Sequence, residues 1–320
     1  MLEPMKDLLV EAKRGDYAVP APNVFDKESV EAAFNAAEEL DSPVILDVGY
    51  AMGIEETGMI AKYYGTKHSR IPWALNLDHG GPFEHVILAI RSGYSSVMVD
   101  PSTLSFEDNV AQVADVVRIA HAAGVSVEAE LGHVGQGVEY EATRDAGLTH
   151  PEEAAEFVER TGVDCLAVAV GTSHGVYKGT PHLEFGLLST LASDLEIPLV
   201  LHGGSGTGDE NLQRAVKTGI QKVNLYTDLG EAWLQALKRE IAIHEGTAEE
   251  VTEDEFKNAK KRSPSLWRTA ARTATRRSSC TTWSSLVPPV AFNSIPGNLS
   301  SAPHLRAAPT TPSSKEKGRP

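Results

Sequence analysis

The sequence predicts an α/β fold: a (β/α)8 TIM barrel over residues 1–262, followed by a disordered tail over residues 263–320. Short apolar segments rich in β-branched residues alternate with amphipathic helical segments, which is typical of βα units around a parallel sheet. Eight such units occur within about 230 residues, close to the size of one barrel. An open doubly wound sheet is the alternative. Such a sheet usually has a glycine-rich loop after its first strand, and residues 20–30 contain no glycine.

The eight predicted strands are short, apolar segments bounded by turn-forming residues. They cover residues 17–25, 43–48, 73–78, 95–100, 125–130, 164–170, 197–202 and 221–226. In a parallel barrel, the carboxyl ends of all these strands lie at one rim, where barrel enzymes build their active sites.

The predicted helices carry their own start and stop signals. Asp26 can cap a helix over 27–40. Ser105, with Asp108 three residues later, resembles a capping box, and Gly124 ends that helix. Pro82 and Pro151 are expected in the first turns of helices over 82–93 and 150–162, and a last helix is expected over 228–244.

Composition restricts the possible partners. The net charge of −15 argues against a general nucleic-acid binder. No apolar run approaches the roughly 20 residues of a membrane helix, so we expect no membrane partner. The first residues contain no signal-peptide core, and two cysteines, Cys165 and Cys280, cannot form a disulfide framework. We therefore expect a cytoplasmic protein.

The tail over residues 263–320 differs from the rest of the chain. It contains eight basic residues and one acidic residue, and it is rich in Ser, Thr, Pro and Ala. Such a composition, with little apolar periodicity, predicts disorder. Three interpretations stay open: a segment that binds an acidic partner, a disordered extension, and an out-of-frame end.

Polar and ionisable residues mark the ends of six consecutive predicted strands. They are Asp78, His79, Asp100, Glu130, His174, His202 and Asn224. Such groups are costly at the mouth of an apolar barrel unless they are paired or bind a metal. A lone histidine here would be read as a hydrogen-bonded rim residue. Three histidines beside glycines favour a catalytic zinc site, which keeps one position open for substrate.

The loops after the last two strands indicate phosphate binding. Residues 203–206 read Gly-Gly-Ser-Gly, and residues 224–227 follow the eighth strand. Barrels commonly bind phosphate at these two loops through backbone N–H groups. A tight turn is the alternative reading of the glycines.

Several long segments also match one enzyme family in order. They are VPAPNVFDKESVEAAFNAAEELDSPVIL, NLDHGGPFEHVILAIRSGYSSVMVD, VSVEAELGHVG, LTHPEEAAEFVERTGVDCLAVAVGTSHGVYKG and PLVLHGGSGTGDENLQRAVKTGIQKVNLYTDL. Over about residues 1–245, the chain resembles the class II, zinc-dependent ketose-bisphosphate aldolases, the group that contains fructose-bisphosphate and tagatose-bisphosphate aldolases. The resemblance implies a homodimeric or homotetrameric barrel enzyme of carbohydrate metabolism.

The resemblance also implies roles for the rim residues. His79, His174 and His202 would bind the catalytic zinc, and Asp78 would be the acid/base. Asp100 and Glu130 would hold a second divalent metal. The contacts to the sugar phosphate would be Gly175, Gly203, Gly204, Ser205, Asn224, Leu225, Tyr226 and Thr227. A monovalent cation often assists phosphate binding in this family.

The implied reaction is reversible cleavage of a ketose 1,6-bisphosphate to dihydroxyacetone phosphate and an aldehyde. The family uses a mobile-loop glutamate after the fifth strand as its second base. Glu139 or Glu141 would take that role, and Glu139 is our choice, although the string GHVGQGVEYE departs from the family pattern. Pro101 and Tyr226 also depart from it, and Tyr226 leaves the sugar specificity open.

Other functions share some of these residues. A Schiff-base aldolase needs a lysine on a barrel strand, and Lys222 is the candidate, facing either the lumen or the helices. A catalytically weak sugar-phosphate-binding barrel is suggested by the unusual tail and the altered loop after Glu130. A metallohydrolase would use the same histidines without needing the paired phosphate loops.

Overall fold

Eight parallel strands form one barrel sheet in the computed structural model, which describes residues 1–68, 70–135, 145–177 and 179–245. The strands are β1 (Val19–Pro22), β2 (Val44–Gly49), β3 (Trp73–Gly80), β4 (Ser96–Val99), β5 (Ser126–Leu131), β6 (Cys165–Val168), β7 (Leu199–Leu201) and β8 (Ile220–Leu225). Their order in the sheet is β1-β8-β7-β6-β5-β4-β3-β2. The predicted (β/α)8 barrel is confirmed.

Helices surround the sheet. They are α1 (Met5–Arg14), α2 (Lys27–Leu40), α3 (Ile54–Gly65), α4 (Phe83–Arg91), α5 (Phe106–Ala122), α6 (Pro151–Thr161), α7 (Phe185–Asp194), α8 (Asp209–Thr218) and α9 (Thr227–Glu245), with short 3-10 turns at Tyr50–Met52 and Asp145–Gly147. Within the described ranges, no helix has the length and apolar character that crossing a membrane requires. The predicted tail over 263–320, and its boundary at residue 262, lie outside these ranges.

The predicted caps are largely confirmed. The Asp26 side chain accepts a hydrogen bond from the Ser29 backbone N–H, and Ser105 accepts one from Asp108 in the same way. Pro151 is the first residue of α6. Pro82 instead lies one residue before α4, because its ψ of 151° is extended rather than helical.

Contact between β1 and β2 closes the barrel. The Val24 N–H donates to the Asp47 carbonyl at 2.8 Å, and Asn23 forms a parallel bridge with Asp47. Because β1 pairs with β8 on its other side, both edges of the sheet are occupied. The carboxyl ends of the strands therefore surround one opening.

Two apolar cores lie on the two sides of the sheet. The larger core lies between the sheet and the helices around it, and Phe34 and Phe157 are among its largest side chains. The smaller core fills the lower half of the lumen, where Met5 and Leu9 of α1 pack beneath the sheet. Helix α1 therefore covers the amino-terminal end of the barrel, and the opposite end is free to carry a site.

Strand residues alternate between these two sides, as the two-residue period of β-structure requires. Val19, Ala74 and Val200 point into the lower lumen. The residue two positions further along each strand also points into the lumen, about 7 Å closer to the carboxyl end of the barrel. At that level the lumen becomes polar, with Asn76 donating to Asp47 at 2.9 Å.

A buried aspartate ties the lower end of the barrel together. Asp164 is 3% exposed and accepts a hydrogen bond from the Val127 backbone N–H at 2.8 Å. It also contacts Lys6 of α1 and His121 of α5, each at 2.8 Å. The covering helix is thereby attached to the sheet.

We expect Asp164→Ala to lower the free energy of unfolding by about 2–3 kcal/mol, because it leaves the buried Val127 N–H without its acceptor. Urea unfolding followed by circular dichroism measures this. The control is Asp115→Ala, which removes an exposed pair with Arg118 and should cost under about 0.5 kcal/mol. Equal losses in the two variants would contradict the assigned role of Asp164.

Candidate active site

A cavity of about 270 Å³ opens at the carboxyl end of the barrel. Its lining includes the predicted site residues Asp78, His79, His174, Gly175, Gly203, Ser205, Asn224, Tyr226 and Thr227. Gly204 and Leu225 are not in this lining: the Gly204 N–H donates to the Asn224 carbonyl, and the Leu225 side chain lies in the larger core. Glu139 and Glu141 lie outside the described residues.

Three imidazole nitrogens face one another at the inner end of this cavity: His79 and His174 line it, and His202 is fully buried behind them, outside the lining. His79 Nε2 lies 3.0 Å from His202 Nδ1, and His174 Nε2 lies 3.4 Å from the same atom. One ligand atom from each ring therefore falls within 4.8 Å of the others. That separation allows a single ion to reach all three.

The other nitrogen of each ring faces an oxygen acceptor. His79 Nδ1 lies 2.9 Å from Asp100 Oδ2, and His202 Nε2 lies 2.8 Å from Glu128 Oε1. His174 Nδ1 lies 3.2 Å from the Val134 carbonyl. Because these oxygens accept hydrogen bonds, each outer nitrogen is assigned the ring proton, and the inner lone pairs converge. Metal-binding histidines typically have such partners, so this donor set fits a divalent ion.

Adjacent residues Asp78 and His79 both reach the cavity because the end of β3 is irregular. In a regular strand they would point to opposite sides of the sheet. The register of β3 against β4 shifts between Leu77 and Gly80. His79 itself has a φ of 47°, in a left-handed region that is uncommon for residues other than glycine. This local conformation brings two functional groups from consecutive positions to one site.

A second group of possible ligands adjoins the first. Ligand atoms of His79, Asp100 and Glu130 lie within 4.8 Å of one another. Burial and the nearby Asp100 charge raise the pKa of Glu130 to about 8. Glu130 Oε2 is buried and has no hydrogen-bond partner among the described residues. An unsatisfied carboxylate oxygen beside two other ligands fits the predicted second metal position.

The carboxylates make this part of the site favourable for positive charge. Burial lowers the pKa of His79, but the hydrogen bond to Asp100 and the charge of Asp78 outweigh it and raise that pKa to about 10. Burial and the neighbouring rings lower the pKa of His174 to about 4, so that ring is neutral at pH 7. The carboxylates therefore favour a positive charge at His79, which a metal ion bound at its inner nitrogen would supply in place of a second ring proton.

Two amides hold Asp78. Asn23 Nδ2 donates to Asp78 Oδ2 at 2.7 Å, and Asn224 Nδ2 donates to Oδ1 at 3.2 Å. Burial raises the pKa of Asp78, but the charges of His79 and His202 outweigh burial and hold it below its ordinary value. Asp78 is therefore an ionised carboxylate with a defined orientation, as a general base requires.

Lys222 faces the lumen, which settles the orientation that its position in β8 left open. It is fully buried and forms ion pairs with Asp47 at 3.1 Å and Glu128 at 2.9 Å. Burial lowers its pKa, but the two carboxylates outweigh burial and raise the pKa above its ordinary value. A Schiff-base nucleophile must be a neutral amine, so this lysine does not fit that mechanism.

The loop after β7 lies against the start of α9. The Ser205 hydroxyl oxygen accepts hydrogen bonds from the Tyr226 and Asp228 backbone N–H groups, at 3.1 and 3.2 Å. Because α9 begins at Thr227, its positive end lies beside this glycine-rich loop, an arrangement that suits an anion.

Comparisons with known proteins identify the family of the chain. The family model described as "Fructose-bisphosphate aldolase class-II" matches residues 3–280. The chain belongs to the class II fructose-bisphosphate aldolase family. A fructose-bisphosphate aldolase of Geobacillus stearothermophilus is 43% identical over 245 residues, which are 74% of this chain and 85% of that protein.

Solved structures of aldolases have the same fold. The YdjI aldolase of Escherichia coli K12 superposes with a TM-score of 0.75 at 30% identity, covering 89% of this chain and 97% of that one. The fructose-bisphosphate aldolase of Campylobacter jejuni gives 0.72 at 22% identity, covering 88% and 93%, and supports the fold alone.

Several residues of this candidate site escaped sequence reasoning. Asn23 directly follows β1, but the predicted strand extended to residue 25, so the sequence did not show Asn23 at a strand end. Asp47 and Glu128 are charged residues inside apolar strands, and Glu128 precedes Glu130 by two positions, on the same side of β5. The cavity lining from Gly49 to Met52 carried no chemical signal.

We expect Gly203→Ala to destabilise the protein by about 3 kcal/mol. Gly203 has a φ of +66°, and an added Cβ would clash with the Ser173 carbonyl. The matched control is Gly175→Ala: its φ is +89°, but nothing lies within 4 Å of the added Cβ, so backbone strain alone should cost about 1 kcal/mol. Urea unfolding compares the two variants, and an equal loss would argue against the clash.

Proposed function

We propose that this protein is a zinc-dependent aldolase that reversibly cleaves a ketose 1,6-bisphosphate, of the fructose or tagatose type, to dihydroxyacetone phosphate and an aldehyde. The observation that carries the proposal is the convergence of three imidazole nitrogens beside the ionised carboxylate of Asp78. His79, His174 and His202 would hold the catalytic zinc. Asp100 and Glu130 would contribute to a second divalent site.

Cleavage of the carbon–carbon bond leaves negative charge on the ketone oxygen of the departing enediolate. Zinc held by three neutral imidazoles would supply Lewis-acid stabilisation of that charge, a contribution of several kcal/mol. The residues around it must bind the substrate, hold its hydroxyl groups in place and move two protons.

Asp78 takes the first of these protons. Its carboxylate accepts the proton of the hydroxyl on the far side of the breaking bond, and it returns that proton when the reaction runs as a condensation. Asn23 and Asn224 hold the two carboxylate oxygens in place during both directions. Glu139 remains our prediction for the base that acts at the carbon beside the ketone.

The phosphate of the dihydroxyacetone half would bind between the β7 loop and the start of α9. Gly203 and Ser205 contribute backbone and hydroxyl groups there, and Thr227 begins the helix whose positive end faces the anion. Gly175, Gly204 and Asn224 to Tyr226 complete the proposed contact set, in which Leu225 would act through its backbone. A monovalent cation beside this phosphate, a homodimer or homotetramer, and a cytoplasmic location also remain predictions.

We expect removal of the metal to lower the release of dihydroxyacetone phosphate by at least about 100-fold, since several kcal/mol of stabilisation would be lost. The measurement is a coupled assay on fructose and tagatose 1,6-bisphosphates before chelation, after chelation and after adding back zinc. Turnover that survives complete stripping would rule out the metal mechanism. Tight calorimetric binding of phosphate ligands without turnover would indicate the alternative, a sugar-phosphate-binding protein.

Two substitutions separate metal binding from proton transfer. His174→Ala should lose zinc and turnover together, because it removes one of three ligands. Asp78→Ala should retain zinc and lose turnover by about 100-fold or more, because only the base is removed. Metal analysis and the same assay measure both effects. The control is His182→Ala, an exposed histidine outside the cavity, which should change neither property. A fully active Asp78→Ala variant would overturn the role of Asp78.

A further inference from the structure

A buried ammonium group lies beneath the site. Lys222 is 0% exposed and lies in the middle of the lumen, below the three histidines. Its Nζ contacts Asp47 Oδ2 at 3.1 Å, Glu128 Oε2 at 2.9 Å and Asn224 Oδ1 at 2.8 Å. The contact with Asn224 is a hydrogen bond, and the contacts with the two carboxylate oxygens are ion pairs.

One of these contacts leads to the histidine cluster. The second oxygen of Glu128, Oε1, lies 2.8 Å from His202 Nε2. Glu128 therefore bridges the ammonium and the imidazole. Since Oε2 is held by Lys222, the carboxylate presents Oε1 at a fixed angle, and the lone pair of His202 Nδ1 points towards His79 and His174.

Another contact leads to Asp78. An ammonium cannot accept a hydrogen bond, so the Asn224 amide must turn its oxygen towards Lys222. Its Nδ2 then necessarily points the other way, where it donates to Asp78 Oδ1 at 3.2 Å. Lys222 thereby determines that the nitrogen of this amide, and not its oxygen, contacts Asp78.

We propose that Lys222 is a positioning residue that aligns His202 through Glu128 and Asp78 through Asn224, and so couples the metal-binding and proton-transfer halves of the site. Asp47, the third partner, forms an ion pair with Lys222 and accepts a hydrogen bond from Asn76. The inference rests on the proposed function for the roles of His202 and Asp78. It adds a common support that neither residue's own contacts would supply.

A purely structural role is the competing explanation, because a buried ammonium between two carboxylates also stabilises the lumen. The two explanations differ in what a folded variant without the ammonium would do. Positioning predicts a changed ligand geometry and a lower kcat with little change in KM, while a structural role predicts lower stability alone.

The test uses the full chain with two variants. Lys222→Met removes the ammonium at similar length, and Lys222→Met/Asp47→Asn removes one positive and one negative charge together, so that the lumen keeps its net charge. Zinc affinity is measured by competition with a chelator, and Co²⁺ is substituted to record the absorption spectrum of the ligand set. We expect zinc to bind at least about ten-fold more weakly, the Co²⁺ spectrum to change, and kcat to fall at least about ten-fold while KM stays within about three-fold.

The matched control is Lys6→Met, which removes an ammonium from buried Asp164 at the opposite end of the barrel. It should lower stability and leave zinc affinity, the Co²⁺ spectrum and kcat unchanged.

A folded Lys222 variant with wild-type zinc affinity, spectrum and kcat would overturn the proposal. Failure of both variants to fold would also overturn it, because the role of the lysine would then be stability. If the wild-type chain binds zinc but cleaves no ketose bisphosphate, the proposed function fails, while zinc affinity and the Co²⁺ spectrum still test the alignment of His202.

Discussion

Closure of the parallel sheet is the constraint on which the rest of this structure depends. Because all eight strands run in the same direction, every strand delivers its last residues to the same rim. His79 and His202, which are 123 positions apart in the chain, come within 3.0 Å for this reason. The short β7, Leu199–Leu201, ends directly before His202. The length of this strand therefore determines how far along the barrel axis the His202 ring lies.

The second constraint is the cost of burying charge. A carboxylate or an imidazole inside the lumen must have a partner, and each inner group here has one. Burial raises the pKa of Glu128, but Lys222 and His202 outweigh it and hold the pKa below its ordinary value, so Glu128 remains an acceptor. Glu130 accepts a hydrogen bond from the Val134 N–H through Oε1, and its Oε2, which has no hydrogen bond among the described residues, lies 3.9 Å from His202 Nδ1.

The two ends of the barrel have different roles in the protein. At the lower end, α1 and its apolar residues seal the lumen, and Asp164 attaches that helix to the sheet. At the upper end, the left-handed backbone conformation of His79 places a functional group at a cost in stability. The well-packed lower half is what allows the rim to retain such strain.

The sequence by itself determined the alternation of strands and helices, the caps at Asp26 and Ser105, and the placement of the three histidines at strand ends, because each of these depends on neighbours a few positions away. Only the tertiary structure decided that Lys222 faces the lumen and that Asn23 and Glu128 support the site, since these depend on the register between strands distant in sequence. Leu225 illustrates the same limit: it stands between Asn224 and Tyr226, but the two-residue period of the strand turns its side chain into the larger core.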